Sequence, residues 1–170
     1  MSRYRAYLDC LADFDGTAVD GSGISDPQSP PLAEGEVREF ITARLAEEDP
    51  ATELPEGWVH CTSRWIVDAG TEEMLGFIAT RHRLTPYLLA QGGHIGYSVR
   101  PAARREGVAT AALEIALAEA QELGIAPVLI TCDDDNQASR RTIENAGGDL
   151  EDLHEGKRRY WIGDGPRSRA

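Results

Sequence analysis

The segment from His94 to Cys132 constrains the fold more than any other part of this chain. His94-Ile-Gly-Tyr-Ser-Val-Arg alternates small and apolar residues as a strand does, and ends at Pro101, which cannot donate to a sheet ladder. A helical wheel over residues 108–123 puts Ala109, Leu113, Ala116, Ala120 and Leu123 on one broad side, with Glu114, Gln121 and Glu122 opposite. Gly124 ends that helix, and Pro127-Val-Leu-Ile-Thr-Cys is a short apolar run of the kind a buried strand gives. Strand, helix, strand implies a parallel pairing with the helix packed across one face, which is an α/β arrangement.

The flanking segments supply further elements. Tyr4, Tyr7, Leu8, Leu11 and Phe14 recur at helical spacing and predict a first helix over residues 3–14. Residues 15–32 are rich in Gly, Ser, Asp and Pro without a period, and read as a long surface loop. Val37, Phe40, Ile41 and Leu45 mark a second helix that stops before Asp49-Pro50, because the residue preceding proline is pushed out of the helical region. Residues 58–67 and 74–80, separated by Asp68-Ala-Gly-Thr-Glu, predict an antiparallel hairpin, and Leu84 to Leu89 belong to a short link. Asn136 can cap a helix running to Gly147 with Ser139, Thr142, Ile143 and Ala146 inward, and residues 150–153 and 159–162 predict two closing strands. With no internal repeat, the reading is one domain over 1–163 and a C-terminal tail over 164–170.

Composition bounds the partners. At 170 residues, 41% hydrophobic and 27% charged, the chain can bury about two thirds of its unfolded surface around one core. A net charge of -12 repels nucleic acid and anionic membranes and draws in cationic ligands. No run approaches the roughly 20 apolar residues that span a bilayer, and the first residues lack the apolar core of a secretory signal, so the expected location is cytoplasmic. Cys10, Cys61 and Cys132 form no paired motif and suit free thiols in a reducing compartment. His60, His82, His94 and His154 lack short metal-ligand spacing, so no metal is expected. The cations cluster as Arg100, Arg104 and Arg105, with a second pair at Arg140 and Arg141, leaving room for a local polyanion site on an acidic surface.

Val99-Arg-Pro-Ala-Ala-Arg-Arg-Glu-Gly-Val-Ala109 stands where the strand passes into the helix. A helix start exposes unpaired N–H groups and the positive end of the dipole, and Gly107 lets a ligand approach the main chain, so the segment predicts a pyrophosphate cradle. Arg104-x-x-Gly107-x-Ala109 resembles the acyl-CoA-binding motif of the GNAT superfamily of N-acetyltransferases, and Asn136-x-x-Ser139 is similar to its second cofactor-contacting segment.

The resemblance covers residues 94–148 and implies a mixed sheet splayed beside Val99, with acetyl-CoA as cofactor. Main-chain groups of Tyr97 and Val99 would bond the pantetheine arm. Amides of Arg104, Arg105, Glu106, Gly107, Val108 and Ala109 would hold the pyrophosphate, and Asn136, Ser139 and Arg140 would face the cofactor. It implies acetyl transfer to a small primary amine, which the acidic charge would favour as a cation, and leaves a homodimer open. The chain departs from the family at two positions: Ile143 stands where many relatives carry an acid tyrosine, and Thr131 where they often carry a glutamate base. Tyr97, His94 and Asp133 are therefore the candidates for proton handling, each with a packing or solvated-loop role as alternative. Transfer from a longer acyl-CoA, or a CoA-binding module without turnover, are the rival functions.

Overall fold

The computed structural model describes residues 3–164. Apart from Asp164, the C-terminal tail expected at 164–170 lies outside the described residues. In order along the chain are α1 (Arg3–Asp13), α2 (Glu34–Ala46), β1 (Cys61–Val67), β2 (Met74–Arg81), β3 (Ile95–Val99), α3 (Val108–Glu122), β4 (Val128–Asp133), α4 (Gln137–Asn145), β5 (Asp149–His154) and β6 (Lys157–Ile162). A π-helical turn, Leu88–Gly92, precedes β3, and a 3₁₀ turn, Pro101–Ala103, follows it.

The strands form two antiparallel sheets, ordered β1-β2-β3 and β4-β6-β5. Alternation along β2 sends Phe77 to one face and Ile78 to the other. Phe77 joins Tyr7, Cys10, Leu11 and Phe14 of the α1 side in one core cluster, where Tyr7 stacks on Trp65 with ring centroids 5.3 Å apart. Ile78 joins Ile95, Leu113, Ala116, Ile130, Ile143 and Tyr160 in a second cluster that binds α3 and α4 to both sheets. Leu123, expected on the buried face of α3, is 48% exposed because the helix ends just before it.

The parallel pairing expected between β3 and β4 is reduced to one point. The His94 N–H donates to Leu129 O at 2.7 Å, and the Leu129 N–H donates to His94 Nδ1 at 2.9 Å. Beyond it no ladder joins the two strands, so the sheets part and leave a wedge between them. Gly93 sits at the apex with φ 63, and a Cβ there would lie 2.6 Å from Leu129 O, so only glycine fits so close an approach.

The long loop before α2 is pinned rather than free. Tyr4 Oη donates to Leu32 O and Tyr7 Oη to Pro31 O. Gly21, at φ 77, crosses directly over β3, where a Cβ would fall 2.2 Å from Gly96 O. The loop thereby becomes one wall of the wedge.

Candidate active site

The wedge is the mouth of a cavity of about 1060 Å³ lined by β3, the turn after it, the start of α3, β4 and α4. Its wide end is the turn between β3 and α3. Arg105 stands at φ 67 and Gly107 at φ 80, which turns successive peptide N–H groups the same way. Among the described residues, no acceptor pairs with any backbone N–H from Arg105 to Thr110, and Gly107 supplies no side-chain cap. A run of unpaired donors at a helix start is a site for an anion. The Arg104 N–H, expected in the cradle, is taken by Pro101 O at 3.3 Å.

The arginines divide by role. Arg100 is no phosphate ligand: Nε donates to Asp13 Oδ2 at 2.8 Å and Nη1 to Glu73 Oε1 at 2.6 Å. The same Asp13 carboxylate accepts from the Ala102 N–H, fixing the turn to the end of α1, and the Arg100 guanidinium holds Asp13 below the usual carboxylate range. Arg104 donates from Nε to Val99 O at 3.0 Å, and with Arg105 and Arg141 it lines the cavity. Arg140, an expected cofactor contact, and the Glu106 side chain lie outside the lining.

β3 forms the floor. The Arg100 N–H reaches Leu75 O and His94 O accepts from the Arg81 N–H, so even-numbered positions of β3 pair with β2. Main-chain groups of Ile95, Tyr97 and Val99 therefore face the wedge. The Tyr97 side chain crosses to α4, where its hydroxyl and Ser139 Oγ are 2.9 Å apart. Burial raises the Tyr97 pKa, and the bond to Ser139 opposes that rise. Asn136 caps α4 by accepting from the Ser139 N–H at 3.1 Å, which orients the first turn of that helix toward the cavity.

The other two candidates for proton handling, His94 and Asp133, are both engaged by the protein. His94 is 5% exposed and outside the lining; burial, seconded by Arg81, pulls its pKa down to about 4. It is the clasp between the sheets, not an exposed proton carrier. Asp133 lies at the wide end, ion-paired to Lys157 at 2.6 Å. Ile143 is fully buried in the core and Thr131 donates from Oγ1 to Gln91 O, so neither position presents an acid or a base.

The narrow end was missed entirely. There Arg81, Tyr87 and Gln91 line the cavity, and the loop adds Ala18 and Asp20 to the same lining, Asp20 standing next to the Gly21 that crosses Gly96. Their only sequence signal is the glycine spacing around residues 92–96, because a wall built by a distant loop leaves no local pattern.

Comparison with known families decides the lineage: the acetyltransferase (GNAT) domain matches residues 12–149. The chain belongs to the GNAT family. Its fold is shared with a ribosomal-protein alpha-N-acetyltransferase solved with coenzyme A, at 17% identity and a TM-score of 0.64 over 96% of this chain and 92% of that one. Spermidine N-acetyltransferase from Vibrio cholerae aligns at 13% identity and 0.58, over 95% and 91%. A microcin C7 self-immunity acetyltransferase, solved with acetyl-CoA and AMP, aligns at 14% and 0.58, over 95% and 84%. No curated protein matches the chain. Among the described residues of this GNAT protein, no helix is long and apolar enough to cross a membrane, and no cluster of side chains could hold a metal ion. All three cysteines are free.

Proposed function

We propose that this chain is an N-acetyltransferase that moves an acetyl group directly from acetyl-CoA to a primary amine. The observation that carries the reading is the run of unpaired N–H groups from Arg105 to Thr110, opening on a cavity whose floor is the edge of β3 that no strand pairs with. The pyrophosphate would lie on those amides with Arg104 and Arg105 beside it. The pantetheine arm would follow Val99 and Tyr97 toward the apex, with Asn136 and Ser139 across from it. Two known acetyltransferases of this fold, solved with coenzyme A or acetyl-CoA, support an acyl-CoA cosubstrate.

In this reading the amine enters at the narrow end and loses its proton to solvent through the open mouth. It attacks the thioester carbonyl, and the oxygen gains negative charge opposite the main-chain N–H groups of β3, which act without reorganising. The carbonyl re-forms as the C–S bond breaks, and the nitrogen releases the proton that makes the product a neutral amide. That proton balances the one taken up by the departing thiolate. Tyr97 and Ser139 are the hydroxyl pair that can return a proton to it. Incubation with acetyl-CoA and an amine panel should release free CoA, with kcat/KM rising with pH toward each amine's own pKa. Tight acetyl-CoA binding with no release from any amine would favour the binding-module reading, which the apolar Ile143 and the engaged Thr131 support.

The shared hydroxyl pair makes a mild prediction. A thiol has a reference pKa of about 8.5 and leaves readily as thiolate, and Ser139 remains when the tyrosine hydroxyl is removed. Tyr97→Phe is expected to lower kcat by less than about tenfold and to leave the shape of the pH profile unchanged. A fall beyond about 100-fold at unchanged CoA affinity would make Tyr97 the obligatory acid.

A further inference from the structure

We propose that Arg81 receives an anionic group of the acceptor, so that the preferred amine is one that also carries a carboxylate. The inference rests on the acetyl-transfer reading and names the substrate class of the same cavity. Arg44, Arg64, Arg100, Arg158 and Arg159 are each paired to a carboxylate. Arg81, half-buried at the narrow end, has no carboxylate partner among the described residues. A guanidinium withdrawn from water without a counter-ion is costly, and it is the side chain best shaped to take a carboxylate through two N–H groups.

Its seat is built by glycines. Nη1 donates to Gly92 O at 3.1 Å and to Gly93 O at 3.3 Å, leaving Nη2 and Nε without a protein acceptor among the described residues. A Cβ at Gly96 would lie 3.3 Å from Nη1 and 3.5 Å from Nη2, so the guanidinium lies across the bare backbone of β3 on the face that Gly21 and the loop cover. The carbonyls of the π-helical turn hold the group in place and do not neutralise it. Asp20 also lines the cavity, next in sequence to the Gly21 whose backbone N lies, like the guanidinium, beside Gly96. A carboxylate on Arg81 with an amine toward Asp20 satisfies both signs, whereas a simple diamine would meet Arg81 with like charge. The overall charge of -12 governs approach, and this pair governs docking.

The test compares amino acids with their own carboxamides as acceptors, with a simple alkyl diamine as the cationic arm, in the wild type and in Arg81→Gln. Glutamine keeps a polar side chain at the site without the charge, and a CoA titration checks that the variant is folded. The wild type should prefer the amino acids, and Arg81→Gln should shrink the acid-to-amide ratio of kcat/KM on the order of tenfold to a hundredfold, the loss of a charge-assisted pair. Preference for carboxamides or the diamine in the wild type, or a ratio that survives Arg81→Gln, would overturn the proposal. If CoA is bound but none of these amines is acetylated, the transfer reading fails separately. Amino-acid binding to the CoA-loaded protein, followed by NMR, then decides: binding lost in Arg81→Gln upholds the anion site, and no binding in the wild type removes it.

Discussion

A folded Gly107→Trp variant is expected to have no measurable affinity for acetyl-CoA. Gly107 sits at φ 80 with nothing within 4 Å of where a Cβ would be, so a side chain can start there without a clash, and an indole is expected to occupy the space in front of the N–H groups from Arg105 to Thr110. Two effects must be separated. Any L side chain at this left-handed position strains the backbone by roughly 1–2 kcal/mol, a cost that Gly107→Ala shares. Only the large ring excludes a pyrophosphate from the helix start. Calorimetry should therefore find modest weakening of CoA binding in Gly107→Ala and none detectable in Gly107→Trp, with similar thermal stability for the two. Unchanged affinity in the tryptophan variant would remove the basis of the cofactor assignment.

That variant tests the part of the site the sequence spells out most fully, and the reason is local. The N–H groups of a helix start and the turn before it come from consecutive residues, so Arg104-x-x-Gly107-x-Ala109 carries its own geometry. The helices and strands were readable for the same reason, since period and capping residues such as Asn136 are short-range signals. What was misread depends on packing between distant segments. Arg100 belongs to the cationic cluster in sequence, but Asp13 of α1 and Glu73, just before β2, neutralise it in the fold. His94 looked like a proton carrier because its type is reactive, but its environment is set by Leu129, and ring contact with Trp161 helps to seal it. The expected parallel ladder between β3 and β4 failed because connection rules give direction and neighbourhood but not whether strands stay in hydrogen-bonding reach. The narrow end of the cavity joins the loop around Gly21 to residues 81–96, and no window along the chain contains both.

His94 yields the second large effect, in the pH dependence of stability. In the folded chain its Nδ1 accepts the Leu129 N–H at the point where the sheets meet, a bond that only the neutral ring can make. The folded pKa is depressed from 6.5 to about 4, chiefly by burial. Between those values the unfolded chain binds a proton that the folded chain refuses. Stability from this group is therefore complete above about pH 6.5, falls as the pH drops, and is lost by about 3 kcal/mol once the pH is below 4. His94→Asn isolates the contribution, because the Asn oxygen can accept the same N–H and does not titrate. Burial also lowers the pKa of His82, but this and the titrating carboxylates are present in both proteins and subtract out. Denaturant unfolding between about pH 7 and pH 4 should show the wild type losing about 3 kcal/mol more than His94→Asn. Parallel stability curves would mean that His94 protonates freely in the folded state, and that the joint between the sheets does not depend on a neutral imidazole.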